Sequence, residues 1–128
     1  MRSLIINGGA EISGNVTIGG NKNAVLPMIA ASILTKEEII MHDVPAISDA
    51  DVMLKIIQHL GAKVTRSGKT VRINAKNITK SEIPKSLCSA LRTSILLAGP
   101  LSVRCGEATI YPPGGDVIGR RRLDSHFY

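Results

Sequence analysis

A chain of 128 residues suffices for one modest domain with a real core, and 44% hydrophobic with 20% charged residues is ordinary for a soluble globular protein. Aromatics are only 2% and tryptophan is absent, so the core must come from Ile, Leu, Val and Ala, which favours helices packed on small sheets. A net charge of +6 is compatible with a small polyanionic substrate, whereas a nucleic-acid binder interleaves basic residues with stacking aromatics, and only Tyr111, Phe127 and Tyr128 are aromatic here.

In chain order, residues 3–6 and 15–18 read as two short strands separated by Gly8-Gly9 and Gly14, with Val16 and Ile18 alternating with polar neighbours. Gly19-Gly20-Asn21 breaks the second strand and offers a helix start. Over residues 22–34, Ala24, Val25, Met28, Ile29, Ser32 and Ile33 recur at helical spacing, with Pro27 in the first turns. A strand is expected over 39–42, followed by a turn at Asp43-Val44-Pro45. Ser48-x-x-Asp51 has the form of a capping box opening a helix through Leu60. Val52, Ile56, Ile57 and Leu60 are its buried stripe, and Gly61 ends it. Residues 63–66 and 70–74 flank Ser67-Gly68-Lys69 as a hairpin.

The pattern then begins again. Residues 77–84 form a polar connector and residues 85–98 a helix, with Leu87, Leu91 and Ile95 on one row. Residues 108–111 read as a strand, and Pro112-Pro113-Gly114-Gly115 stands where Val44-Pro45 stood before. The expected organisation is thus an N-terminal strand segment (1–20), one full repeat (21–76) and a truncated second repeat (77–128), which marks the sequence as a fragment. Cys88 and Cys105 have no metal or redox spacing, and free thiols without a secretory signal fit the cytoplasm. No apolar run approaches the roughly 20 residues that span a bilayer, so no membrane partner is expected.

Three clusters carry chemistry, each with a plainer alternative. Gly19-Gly20-Asn21-Lys22-Asn23 lies at a strand-to-helix junction, where free N–H groups, the helix dipole and Lys22 favour an anion. It also reads as a glycine turn with a solvated lysine. Arg92 lies on a helix row bordering the buried face, from which it either grips a phosphate with its planar fork or snorkels to water. Pro112-Pro113-Gly114-Gly115 makes a loop stiff at its start and mobile at its tip, followed by Asp116 and the run Arg120-Arg121-Arg122, which repel unless an anion or carboxylates lie near. Its alternative is a surface loop with a basic helix start.

Together the clusters resemble one family. The run Gly19-Gly20-Asn21-Lys22-Asn23-Ala24-Val25-Leu26-Pro27 resembles the Gly-x-Lys-Asn-Ala-x-Leu-Pro signature of the UDP-N-acetylglucosamine 1-carboxyvinyltransferases. Asp43-Val44-Pro45, Leu60-Gly61-Ala62, Arg92-Thr93-Ser94-Ile95 and Pro113-Gly114-Gly115-x-x-Ile118-Gly119 follow in the family's order and spacing. The resemblance implies an α/β (α+β) fold, the inside-out barrel of enolpyruvyl transferases, in which two domains of repeated helix and small-sheet units enclose a cleft. In that family the first strands pair with the second domain. This chain would then be part of the first domain, inactive without the remainder of the enzyme.

The implied reaction transfers the enolpyruvyl group of phosphoenolpyruvate to the 3′-hydroxyl of UDP-N-acetylglucosamine by addition and elimination, releasing phosphate, with no cofactor and no metal. It needs a proton for the methylene carbon, a base for the hydroxyl, and cations around phosphate and carboxylate. By motif, Lys22 and Asn23 would contact phosphoenolpyruvate, and Lys22 would also serve catalysis. Arg92 would face the substrates' anionic groups. Arg121, Arg122, Leu123, Asp124, Ser125 and His126 would line the nucleotide sugar. Arg120 and Arg122 replace residues that are often alanine and proline. The main departure is Asp116, where most relatives carry the loop cysteine assigned to proton transfer. An ordinary aspartate is protonated only about once in a thousand at pH 7, so Asp116 would donate a proton only if lid closure desolvates it or a substrate supplies the proton. Such a site would resist epoxide antibiotics such as fosfomycin, because a carboxylate is a weaker nucleophile than a thiolate. The competing reading is a non-catalytic or altered-specificity paralogue that binds a nucleotide sugar.

Overall fold

The structure is a computed structural model that describes residues 3–114. Its first helix, α1 (Lys22–Ser32), buries Val25, Leu26, Ile29 and Ala30. The apolar residues return at the three- and four-residue intervals that place them on one face. Strand β1 (Glu38–Met41) follows, then α2 (Ser48–His59), β2 (Lys63–Ser67) and β3 (Thr70–Asn74). The three strands form one sheet in the order β1-β3-β2, both outer strands antiparallel to β3. The outer strands are therefore parallel to each other, and α2 makes the crossover between them. The hairpin then lays β3 into the gap, pairing Ile73 with both Ile39 and Val64.

Strand alternation sorts the sheet into two faces. Met41, Val71 and Ile73 are buried on the inner face, while Glu38, Ile40, Lys63, Thr65 and Arg72 are exposed on the outer one. Helix α2 turns Ala50, Met53, Leu54, Ile56 and Ile57 into the same core that receives α1. Of its expected stripe, Ile56, Ile57 and Leu60 are fully buried and Val52 only partly so. Gly61, at φ +115, ends the helix where an added Cβ would stand 2.3 Å from the Asn77 carbonyl oxygen, so the position needs glycine on both counts.

Four expectations are corrected. Residues 3–20 form no strand, and Leu4, Ile5, Ile6, Ile12, Val16 and Ile18 are all exposed. A strand needs a neighbour to take its N–H and C=O groups, and none of the described residues lies alongside. The Ser48–Asp51 capping box does not form: Ile47 is the N-cap, without a side-chain hydrogen bond, and Ser48 Oγ reaches Asp49 Oδ1 at 3.4 Å instead. Asp51 turns away to the Arg66 guanidinium at 2.9 Å.

The helix expected over 85–98 is broken. Helix α3 (Lys85–Ala90) stops at Leu91, which is extended at φ −143 and ψ 118. A 3₁₀ segment (Arg92–Leu97) then leads into α4 (Ala98–Cys105). A contact from further along the chain accompanies the break. The Cys88 carbonyl, which a continuous helix would pair with the Arg92 amide, accepts from the Gly114 N–H at 2.9 Å. Pro100 consequently falls in the first turn of α4, where its missing N–H costs nothing. The strand expected over 108–111 shrinks to one parallel bridge between Glu82 and Thr109. There the Thr109 N–H donates to Ser81 O at 2.8 Å and the Ile83 N–H to Thr109 O at 3.0 Å. Pro84 and Pro112 bracket the bridge and supply no further amides.

Candidate functional site

The N-terminus of α1 sits against the loop that leaves β1. A Cβ on Gly20 would stand 1.8 Å from the Asp43 carbonyl oxygen, so only glycine allows this approach. Asp43 has a left-handed φ of 54, and the Val44 N–H donates to Lys69 O at 2.9 Å. Arg66 clamps the loop from the sheet side. Its Nη2 donates to Val44 O at 3.2 Å and Pro45 O at 3.1 Å, and its Nε to Gly68 O at 3.1 Å. Helix α1 and the first turn of α2 are thus placed by the same few residues.

Asn21 caps α1, its Oδ1 accepting the Asn23 N–H at 2.7 Å. The Asn21 backbone carbonyl accepts from Ala24 at 3.3 Å and Val25 at 3.0 Å. The expectation of free amides at this helix start is therefore corrected for Asn23 and Ala24, whose N–H groups the Asn21 side chain and carbonyl occupy. What the junction offers an anion is the Lys22 ammonium. Lys22 does not stand alone either: its Nζ pairs with Asp49 Oδ2 from the first turn of α2. Pro27, inside α1, cannot donate to the Asn23 carbonyl, so that oxygen lacks its ladder partner.

Arg92 is partly buried and opens the 3₁₀ segment, which packs against both α1 and α3. It reaches this place because the chain extends at Leu91, not because it rides a continuous helix. Beside it, the hydroxyls of Thr93 and Ser94 are buried without a hydrogen-bond partner among the described residues.

Pro112-Pro113-Gly114 is seated rather than loose. A Cβ on Gly114 would lie 1.7 Å from Ser89 O. Tyr111, two residues before Pro113, donates its hydroxyl to Glu82 Oε1 at 2.7 Å. That hydrogen bond, with the Glu82 charge behind it, holds the Tyr111 phenol above its ordinary range. The structure thus places Lys22, Asn23 and Arg92 on two packed elements, with the start of the proline–glycine loop docked beside the second. Asp116, Arg121, Arg122, Leu123, Asp124, Ser125 and His126 lie outside the described residues.

Sequence reasoning missed Asp49 and Arg66. The available signal was the acidic first turn of α2, read there only as a helix cap. A shallow hollow of about 590 Å³ occurs on the sheet's outer face, lined by Glu38, Lys63, Thr65, Arg72 and Asn74 among others. None of the candidate residues lines it, so its size does not make it the site.

A family model described as EPSP synthase (3-phosphoshikimate 1-carboxyvinyltransferase) matches residues 6–128. The chain belongs to this family. Among curated relatives of this EPSP synthase-family chain, the UDP-N-acetylglucosamine 1-carboxyvinyltransferase of Borreliella burgdorferi is 49% identical over 128 residues, 100% of this chain and 30% of the relative. The protein of that name from Treponema denticola is 48% identical, over 99% of this chain and 30% of its own length. The crystal structure of the enolpyruvyl transferase NikO from Streptomyces tendae superposes with a TM-score of 0.68 at 26% identity, covering 77% of this chain and 23% of NikO. The chain spans about 30% of the length of these first curated relatives. The mixed architecture of helices on a small antiparallel sheet is that of the enolpyruvyl transferases. Among the described residues, no helix is long and apolar enough to cross a membrane.

Proposed function

We propose that the protein carrying this chain is a UDP-N-acetylglucosamine 1-carboxyvinyltransferase, a cytoplasmic enzyme of peptidoglycan synthesis that moves the enolpyruvyl group of phosphoenolpyruvate to the sugar 3′-hydroxyl. The observation that carries this reading is near-half identity along the whole chain to relatives of that name. Lys22 sits where it could meet an anion, at the capped start of α1.

In this reading Lys22 supplies a point charge to the phosphate or carboxylate of phosphoenolpyruvate, with Asn23 beside it. Arg92 meets the substrates' anionic groups. Asp116 delivers the proton, and Arg121, Arg122, Leu123, Asp124, Ser125 and His126 line the nucleotide sugar. Residues 1–20 join a second domain, and that domain completes the cleft. Residues 21–76 and 77–128 are successive repeats of the first domain. The exposed apolar residues between Leu4 and Ile18 support the first of these statements, since they have no cover among the described residues.

The test is phosphate release by the protein as its gene encodes it. Release that requires both phosphoenolpyruvate and UDP-N-acetylglucosamine, and that persists after incubation with fosfomycin, is the expected result. Binding of the nucleotide sugar without turnover would refute the transferase. Covalent inactivation by the epoxide would refute the role given to the carboxylate at 116.

A further inference from the structure

Resting on that reading, we infer that Asp49 is a positioning residue that holds the Lys22 ammonium at the start of α1 for the anion of the substrate. Lys22 is the first residue of α1 and Asp49 the second of α2, and the two side chains form an ion pair between the helices. A lysine is a point charge on a flexible four-carbon stem, so its direction must be set from outside. Here Asn21 takes the Asn23 and Ala24 amides, and the side chain that meets the ammonium is Asp49.

Asp49 is well supported for this work. Its helix packs against α1, burying Ala50, Met53 and Ile57 in the core that receives Leu26 and Ile29. Asp51, on the next turn position, is held by Arg66, which also clamps the loop under Gly20. Both ends of the pair therefore rest on one framework. The Lys22 side chain remains 52% exposed and Asp49 30% exposed. One carboxylate does not use all three ammonium donors, and the others stay open to a ligand. An ion pair so exposed adds little to folding, so its removal tests function without removing the fold.

In the protein as its gene encodes it, Asp49→Ala is expected to raise KM for phosphoenolpyruvate about tenfold. KM for the nucleotide sugar and the melting temperature should stay at wild-type values. Asp49→Asn should move KM in the same direction by less, and Asp49→Glu should recover most of the loss. An equal rise in both KM values, a fall in melting temperature of matching rank order, or no effect at all would overturn the assignment. If the wild type releases no phosphate from phosphoenolpyruvate, the transferase reading has failed and inorganic phosphate decides the positioning role separately. Phosphate should slow acetylation of Lys22 by acetic anhydride, read by peptide mass spectrometry, and Asp49→Ala should need about tenfold more phosphate for the same protection. Equal protection in both proteins, or none in either, overturns it.

Discussion

The two loops that follow the sheet strand and the bridging segment solve the same problem by different means. The first, Asp43-Val44-Pro45, is held by a side chain as well as by backbone, since Arg66 donates to two of its carbonyls while the Val44 amide donates to Lys69 O. The second, Pro112-Pro113-Gly114, is held by backbone, through the Gly114 amide on Cys88 O. Each depends on a glycine that no other residue can replace without a collision: Gly20 against Asp43 O and Gly114 against Ser89 O. A side-chain clamp leaves the helix it serves intact, and α1 runs unbroken through Pro27. A backbone clamp consumes a helix carbonyl, and α3 ends there. The difference lies in whether a helix carbonyl is drawn into holding the loop: Cys88 O is, and no carbonyl of α1 is among the described bonds of the first loop.

The strongest way to break this contrast is Arg66→Ala. It leaves the Val44 and Pro45 carbonyls without their donor, and a loss of about 3 kcal/mol in urea unfolding is expected. Little of it should come from Asp51, whose side chain is 55% exposed. A loss below a quarter of that size would mean that the loop does not depend on its clamp. Next in size is Gly20→Ala, at about 2 kcal/mol, because its neighbour is loop backbone held on both sides. Gly114→Ala should cost less than Gly20→Ala in the same urea series, since among the described residues no side chain donates to the carbonyls of its loop as Arg66 does to Val44 and Pro45. It should also shift amide exchange at Arg92 as the Cys88 carbonyl is released. The reverse order of the two glycine variants would erase the distinction between the clamps.

The smallest effect is a pH dependence at Tyr111. Its folded value is raised above the ordinary 10.0 by Glu82, so the stabilisation is complete below that value and is lost as pH rises through the folded one. Wild type should therefore exceed Tyr111→Phe in urea midpoint near neutrality and converge with it on the alkaline side. A gap that widens with alkali would contradict the hydrogen bond.

The parts legible in the sequence were those whose partners lie close along the chain. Val25 with Ile29, Ile56 with Ile57 and Leu60, and the turn at Gly68 announce α1, α2 and the hairpin through local spacing alone. Residues 3–20 carry an equally good strand pattern, yet periodicity cannot supply the second strand that would hold them. The break at Leu91 was invisible for a related reason, because the amide that accompanies it belongs to Gly114. At the candidate site, the motif picked out Lys22, Asn23 and Arg92 but missed what surrounds Lys22. Asp49 is distant in sequence and looks like any acidic residue at a helix start, and only the packing of α1 on α2 brings it to the ammonium.

The Gly114 contact also gives the chain a sense of time. Ribosomes release residues in order, so α3 and the segment after it emerge while the Cys88 carbonyl still has no claim from Gly114. Until then the nearest donor is the Arg92 amide, and an uninterrupted helix is the local solution. In the folded chain the Cys88 carbonyl accepts instead from Gly114 and Leu91, and Arg92 opens its own short segment. The Gly114 donor to Cys88 O thus comes from far along the chain, so that this bond at the end of α3 can form only after the proline–glycine loop has been made.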